Sequence, residues 1–313
     1  MSRRLLLATL SALAAGCSEP TDQQVEEMIQ FPQGLATLRL DREKKISQII
    51  PLSGISDYPA SGVHLQNGYL YVVFDKMTKI GKIAPDLASG GYASGGSTSQ
   101  QSQYEGITFD SNNTEHFYVV AEGSTRGRVI QYDSAASGSS ATEQSTTVTF
   151  SNPNKGFEGV AWLRRDNDDY LLALCEGQNC SSTTGGTPMG ALQVLKQTGS
   201  TWTAEPTLLY LPSTANFADF SDIALLPQSN GTFKVAVTSQ ESQKLWVGTL
   251  SATSWSFVGS GTVYALPSPN YCNIEGVTFL SATQVALVSD SMKSDQDPGC
   301  NDKDEMVHVF SLP

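Results

Sequence analysis

A short motif recurs five times along this chain. Each copy carries an oxygen-bearing side chain, which most copies follow with Gly and then a β-branched or apolar residue. These side chains are Ser61, Glu105, Glu158, Ser221 and Glu275. They lie 44, 53, 63 and 54 residues apart, which is the period of a β-propeller blade rather than of a helical repeat. The repeat therefore predicts an all-β chain folded as a five-bladed β-propeller.

Strand-like runs follow each motif copy. An apolar run that ends in a polar or acidic residue comes first, and a run of alternating apolar and polar residues comes next, which is typical of strands. Fourth strands are predicted at Thr146–Phe150, Thr207–Leu211 and Thr262–Leu266. In the first blade the Gly/Ser-rich stretch Ser89–Ser102 stands in that place.

The last repeat reaches Pro313 after its third strand, so its fourth strand must come from another part of the chain. The run Ile46–Leu52 is the strand that we expect to complete this blade and close the ring, which hides two sheet edges. Residues 46–313 are expected to form one domain, since no blade buries its faces alone. Six blades are the alternative if Gly34–Leu40 belongs to another sheet.

The N-terminus has the features of a bacterial lipoprotein signal. Basic residues in Met1–Arg4 precede the short apolar run Leu5–Ala15, and Leu13–Cys17 resembles a lipobox. For a bacterial source, we expect residues 1–17 to be the signal, Cys17 to carry the lipid and residues 18–45 to be a tether. The protein would then lie in the cell envelope and touch the membrane only through its anchor. The alternative is an ordinary signal peptide and a secreted protein.

The cysteine count agrees with an oxidising compartment. Without Cys17, four of the five cysteines remain, an even number. Antiparallel strands place Cys175 near Cys180 and Cys272 near Cys300, so these two pairs are the preferred disulfides. A zinc site is the rival interpretation, and it is disfavoured because no His cluster lies near the thiols.

Charge and motifs narrow the function classes. The formal net charge is −12, from 31 acidic and 19 basic residues, which argues against nucleic-acid binding. A Gly-X-Ser-X-Gly elbow is absent from the sequence, so a serine triad is disfavoured. We expect a monomer whose ligand, a small molecule or a protein, binds at the mouth of the central tunnel.

The five repeated side chains should ring that mouth, because the first strand of each blade lines the tunnel. Three carboxylates and two hydroxyls at close range call for a hard cation with oxygen ligands. The sequence therefore predicts that Ser61, Glu105, Glu158, Ser221 and Glu275 bind Ca²⁺. Asp222 is an alternative to Ser221. The competing interpretation is that each acid only fixes backbone amides of its own blade.

A resemblance to known families emerges from these residues. The order Ser, Glu, Glu, Ser, Glu over five repeats, together with Ser61–Val63, Asn67–Tyr71 and Asp75–Thr78, resembles the calcium-activated apyrases. The copies Tyr104–Ile107 and Asn273–Val277 resemble the SdiA-regulated and phytase-like propellers of bacteria. This resemblance implies a propeller over Ile46–Pro313 with a central calcium. The paired phosphate-gripping arginines of apyrases are replaced here by Glu176-Gly177-Gln178.

Three alternative functions are compatible with these residues and with the resemblance. One is a calcium-dependent phosphohydrolase that acts on phosphoesters or anhydrides, with Asp75 or Glu122 as the base. The second is a non-catalytic propeller that binds a ligand or protein, and the third is a calcium-dependent esterase or lactonase. The residues expected to bind the ligand are Lys76, Arg126, Glu176, Asp290 and Lys293.

Overall fold

Antiparallel hairpins form nearly all of the chain that the computed structural model describes, which is residues 34–93, 102–112, 116–133, 141–175, 190–294 and 296–313. The hairpins follow from local sequence. Asn67 and Gly68, with φ of 49° and 75°, form the two-residue turn after the first long strand, since both residue types tolerate positive φ. The second strand of each blade is apolar and buried on both faces, as in Tyr69–Phe74 after its first residue.

The hairpins fall into five successive groups of four strands, which we call blades. Hydrogen bonds join the described strands into four sheets, because a short parallel pairing links the fourth strands of the second and third blades. In chain order the first three blades comprise β3 (Ala60–Gln66), β4 (Tyr69–Phe74), β5 (Met77–Ile83) and β6 (Gly90–Tyr92), then β7 (Tyr104–Phe109), β8 (Phe117–Ala121), β9 (Arg128–Tyr132) and β10 (Ala141–Thr146), then β11 (Phe157–Arg165), β12 (Asp168–Cys175), β13 (Ala191–Thr198) and β14 (Thr201–Tyr210). The other two comprise β15 (Ile223–Pro227), β16 (Phe233–Ser239), β17 (Lys244–Leu250) and β18 (Thr262–Ala265), then β19 (Ile274–Ser281), β20 (Gln284–Ser289), β21 (Met306–Ser311) and β2 (Arg39–Lys45).

The blades are arranged in a closed ring. The inner strands β3, β7, β11, β15 and β19 contact one another in that order, and β19 returns to contact β3. Five apolar clusters fill the spaces between neighbouring blades. Burial of these faces is the main stabilising term for such a fold. The predicted all-β propeller is confirmed, and the blade number for the whole chain stays a prediction.

The strand that closes the ring is not the one predicted. β2 (Arg39–Lys45) pairs antiparallel with β21, whereas Ile46–Ile49 forms a short helix, α1, whose Ile46 and Ile49 are buried. The apolar run was misinterpreted as a strand, and the charged run before it is the edge strand. Charged residues are common on edge strands because they oppose pairing with another chain.

Other predicted strands shift in position. β10 ends at Thr146, where the predicted strand Thr146–Phe150 begins, and Val148 and Phe150 are buried outside a strand. β14 begins before the predicted Thr207–Leu211, and β18 agrees with the predicted Thr262–Leu266 to within one residue. β1 (Ala36–Thr37) pairs in parallel with β18 and so adds to the fourth blade.

Two further short helices and a disulfide lie between the strands. Two 3-10 helices cover Ser213–Ala215 and Pro298–Asp302. Cys272 and Cys300 form the predicted disulfide, whereas Cys180, Cys17 and the rest of residues 1–33 lie outside the described residues. The chain divides into the compact units Met1–Leu35 and Ala36–Pro313, and all the strands belong to the second. Among the described residues, none of the helices is long and apolar enough to cross a membrane.

Candidate functional site

The repeated side chains lie on β-bulges. The register of β3, β7, β11 and β19 with its partner strand shifts between the residues on either side of Ser61, Glu105, Glu158 and Glu275. Each of these residues is therefore the extra residue of a bulge. Bulges re-aim side chains and are over-represented beside active sites. Here the same irregularity occurs at the same place in four blades.

All five repeated residues line one cavity. Its volume is about 410 Å³, and it lies at the end of the channel where the inner strands begin. Ser61 and Ser221 are buried, and Glu105, Glu158 and Glu275 are half-buried. In the fourth blade Ser221 precedes β15, and its hydroxyl accepts the Gln240 N–H at 3.1 Å. We call this space the acidic cavity.

The floor of the acidic cavity is a ring of closely packed backbone. A Cβ added to Gly106 would lie 2.8 Å from the Gly159 Cα, and one added to Gly159 would lie 2.6 Å from the Asp222 Oδ1. Gly62 and Gly276 are just as crowded. The inner strands approach so closely that four of the five positions after the repeated side chain require Gly.

In the fourth blade the residue after the repeated side chain is Asp222 instead of Gly. Its carboxylate accepts the N–H groups of Ile223 at 2.8 Å and Val277 at 2.9 Å. Burial raises the pKa of Asp222 well above its usual range, although these donors oppose the shift. Asp222 therefore ties blades four and five together beneath the cavity, and Ser221 is the residue that lines it.

Burial and mutual repulsion shape the electrostatics of the cavity. Burial raises the pKa of Glu105 well above its usual range, and the neighbouring Glu275 and Asp75 charges add to this shift. Burial likewise raises the pKa of Glu275 to about 8 and that of Asp290 to about 6. Several carboxyl groups this close cannot all ionise unless a positive charge compensates them.

An acid directly after the second strand of three blades lines the same cavity. Asp75, Glu122 and Asp290 are among its lining residues. Burial raises the pKa of Asp75, and the Lys76 and Lys293 charges oppose that shift. The Glu122 Oε1 accepts the Gly156 N–H at 2.9 Å. The inner and outer sets of acids therefore meet in one space, as the repeat predicted.

The predicted basic residues separate into two groups. Lys293 lines the cavity, and its Nζ donates to the Gln240 Oε1 at 3.1 Å. Lys76 is not a lining residue, and its Nζ lies 3.0 Å from the Asp57 Oδ2. Arg126 lies outside the cavity as well, and its backbone forms an isolated antiparallel β-bridge with Thr149. Glu176 lies outside the described residues.

Sequence reasoning missed several residues of the cavity. Asp219, Gln103 and Asn154 line it, as do Lys155 and Gln240. Asp219 and Gln103 occupy corresponding places, two residues before the repeated side chain, so the motif itself contained the signal for them. Gln240 stands where the second strand of the fourth blade ends, and the neighbouring Glu241 is exposed.

The oxygen donors of the cavity match calcium in kind. Carboxylates and hydroxyls are the ligands that Ca²⁺ prefers, in flexible geometry with six to eight oxygens. Among the described residues, however, no three His, Cys, Asp or Glu side chains come together closely enough to hold a metal ion.

Comparisons with known proteins support the fold. No protein-family model matches the chain, and no curated protein matches it in sequence. A thermostable family-43 glycoside hydrolase is 13% identical with a TM-score of 0.50, over 83% of this chain and 90% of its own. The exo-β-1,3-galactanase of Phanerochaete chrysosporium is 9% identical with a TM-score of 0.51, over 86% of this chain and 64% of its own. At such identities the likeness shows the propeller fold alone.

Proposed function

We propose that this protein is a calcium-binding β-propeller whose acidic cavity hydrolyses phosphoesters or phosphoanhydrides. The observation that carries the proposal is the meeting of five repeated oxygen-bearing side chains, four of them on β-bulges, around one cavity. Glu105, Glu158 and Glu275 would hold the cation with the hydroxyls of Ser61 and Ser221, which requires the carboxylates to move closer together than they lie in this structure. Calcium, when bound, would neutralise these acids and polarise a phosphoryl oxygen.

One of the acids that follow the second strands would accept the proton from the attacking water. Asp75 is half-buried in the cavity wall, and none of the described residues hydrogen-bonds its carboxylate. Its raised pKa brings it closer to neutral pH, where a general base is most effective. Lys293, on the same wall, would bind a phosphate oxygen. Asp75 is therefore the preferred base, with Glu122 as the alternative because it already accepts a backbone N–H.

The disulfide agrees with a location outside the cytoplasm. Cys272 and Cys300 are bonded, and disulfides persist in oxidising compartments. This supports the proposal that the chain is exported and anchored through Cys17, or secreted, although residues 1–33 lie outside the described residues.

Phosphate release tests the proposed activity. We expect hydrolysis of p-nitrophenyl phosphate or of a nucleoside triphosphate with calcium and none with EDTA. Glu105→Gln and Asp75→Asn should each lower kcat/KM by about a hundredfold or more. Glu143→Gln and Asp57→Asn are matched controls, because both acids are exposed and lie outside the cavity. Activity that persists in EDTA would contradict the proposal, and calcium binding without hydrolysis would leave a non-catalytic binding propeller.

Glycoside hydrolysis is a second candidate. The same cavity holds Glu275, with a pKa of about 8, and Asp290, with a pKa of about 6. A protonated acid beside a more readily ionised carboxylate is the arrangement that glycosidases use. A thermostable propeller of similar fold is a family-43 glycoside hydrolase. Release of p-nitrophenol from p-nitrophenyl xyloside or galactoside in EDTA, lost in Glu275→Gln, would favour this function over the phosphohydrolase.

A further inference from the structure

The opposite end of the channel carries a second cavity. It has a volume of about 370 Å³ and is lined by the last residues of the inner strands, so every blade contributes to it. The ring of Gly106, Gly159 and Asp222 belongs to the beginnings of those strands and to the other mouth. Pockets for small molecules begin at about 300 Å³ and are mostly apolar with a few polar groups. We call this space the apolar cavity.

Aromatic rings form much of its wall. Phe109, Trp162, Phe233 and Phe279 line it together with His64. The His64 ring stacks on Phe109 with centroids 5.5 Å apart and planes at 26°. Phe109 in turn packs on Tyr71 and Phe117 at 4.7 and 5.0 Å. This wall is held by packing within the first two blades and is therefore preformed.

Hydrogen bonds between blades fix the strands that carry the wall. The Thr108 Oγ1 accepts the Trp162 N–H of the neighbouring blade at 2.9 Å. The Thr278 Oγ1 accepts the Leu65 N–H at 3.0 Å. Each bond joins two inner strands that do not pair as a ladder. The cavity therefore keeps its shape without a ligand, which lowers the entropy cost of binding.

Two polar side chains of this wall have hydrogen-bonding capacity left. Trp162 is 8% exposed, and its indole N–H has no acceptor among the described residues, which is unusual for a buried tryptophan. None of the described residues hydrogen-bonds the His64 ring. Burial lowers the pKa of His64 to about 4, so its imidazole is neutral at neutral pH.

The described lining of the apolar cavity has one charged side chain, and that side chain already forms an ion pair. Among the described lining residues, Arg164 is the one charged side chain. Its guanidinium lies 3.4 Å from the Asp169 Oδ1 and donates to the Asn167 carbonyl oxygen at 3.2 Å. A charged ligand would therefore be desolvated here without a free counter-charge, which is unfavourable. The cavity favours an uncharged ligand.

We propose that the apolar cavity binds an uncharged, flat, apolar small molecule between the His64–Phe109 stack and Trp162. The site is separate from the acidic cavity and does not depend on calcium or on hydrolysis. Its chemistry favours an aromatic or conjugated ligand with one donor or acceptor within reach of the His64 ring.

The test uses N-phenyl-1-naphthylamine, an uncharged fluorescent probe, with the full chain. We expect saturable binding at one site, equal in calcium and in EDTA. The 8-sulfonate of the same molecule has the same rings and a negative charge, and it should bind at least about tenfold more weakly.

Substitutions locate the site. Gln66 is half-buried and lines the cavity at the end of β3, so Gln66→Trp should fill it and weaken probe binding by about tenfold or more. Gln197→Trp, at a half-buried strand end away from the cavity, is the matched control and should bind as the wild type does. Ser111→Trp, also in the lining, replaces the first variant if that variant does not fold. Absence of saturable binding, wild-type affinity in the folded filling variant, or equal affinity for the sulfonate would overturn the proposal.

Discussion

At the scale of single residues, the repeated motif combines two requirements. The bulge residue places an oxygen-bearing side chain on the mouth of the channel, and the residue after it must let neighbouring backbones approach. Gly meets the second requirement in four blades, and Asp222 meets it in the fourth blade by bonding to backbone N–H groups. The motif therefore allows the inner strands to pack closely and also places acidic side chains at the mouth of the channel.

Gly106→Ala tests the packing requirement. The new Cβ would meet the Gly159 Cα at 2.8 Å and the Val160 backbone N at 2.8 Å, and backbone cannot move aside as a side chain can. We expect a loss of about 1–3 kcal/mol in the free energy of unfolding, or more. Gly91→Ala is the control, since nothing lies within 4 Å of its Cβ. Chemical denaturation measures both, and equal stabilities would show that the ring is not tightly packed.

His64 gives a pH prediction. Its pKa is lowered to about 4 in the folded protein and is about 6.5 when unfolded. The unfolded state therefore binds the proton first, so this group lowers the stability as the pH falls from about 6.5 to about 4. His64→Phe should remove about 1–3 kcal/mol of that acid sensitivity. Unfolding curves at pH 7.5 and 4.5 test this, with His116→Phe as the control, and an unchanged difference between the two pH values would contradict it.

At the scale of elements, the closing strand is joined to the last blade by its ladder with β21 and by one carboxylate. Glu43 on β2 accepts hydrogen bonds from the His308 Nδ1 at 3.0 Å and the Tyr271 hydroxyl at 3.1 Å, and its other oxygen contacts the Lys303 Nζ. The hydrogen bond from His308 is the main reason why the pKa of Glu43 is lowered to about 2. The last blade therefore depends on a charge contributed from the other end of the propeller sequence.

Glu43→Gln should destabilise the protein at neutral pH. A lowered pKa means that Glu43 stabilises the fold above about pH 4.5, and that this stabilisation is lost as the pH falls towards 2. Allowing for solvent screening of a partly exposed group, we expect a loss of about 1–2 kcal/mol at pH 7 and about a quarter of that loss near pH 2.5. Glu143→Gln, whose carboxylate is 57% exposed beside Arg128, should change the stability by less than about 0.5 kcal/mol. A pH-independent loss would exclude the charge as the cause.

The positions of strands were predictable where the pattern of apolar and polar residues in the sequence matches the burial of the strand. The second and third strands of each blade follow from apolar runs and alternation, as β9 (Arg128–Tyr132) shows. The closing strand was missed because its charged sequence suits an exposed edge and lacks an apolar signal. The apolar Ile46–Ile50 segment is buried in a helical turn instead, since an apolar run does not by itself distinguish strand from helix.

At the scale of the whole molecule, the repeat alone predicted that the five repeated side chains meet at one mouth of the channel. Equivalent positions of a cyclic fold converge on its axis, so Ser61, Glu105 and Glu275 share a cavity although they are far apart in sequence. The apolar cavity draws on the same repeat, because in each blade the residue four positions after the repeated side chain lines it: Leu65, Phe109, Trp162, Leu225 and Phe279. The repeat did not show that a cavity lies between these side chains, which depends on how the five inner strands end at the same mouth.

If a cation compensates the acids of the acidic cavity, excess calcium must raise the thermal midpoint of the full chain above its value in EDTA. At a hundredfold excess over its Kd, a ligand adds about 2.7 kcal/mol, which corresponds to a rise of several degrees at about 2–4 °C per kcal/mol. We expect this rise in the wild type and in Glu143→Gln, and its loss in Glu105→Gln and Glu275→Gln. No rise in metal-stripped wild-type protein, or an equal rise in all four proteins, would contradict calcium binding in this cavity.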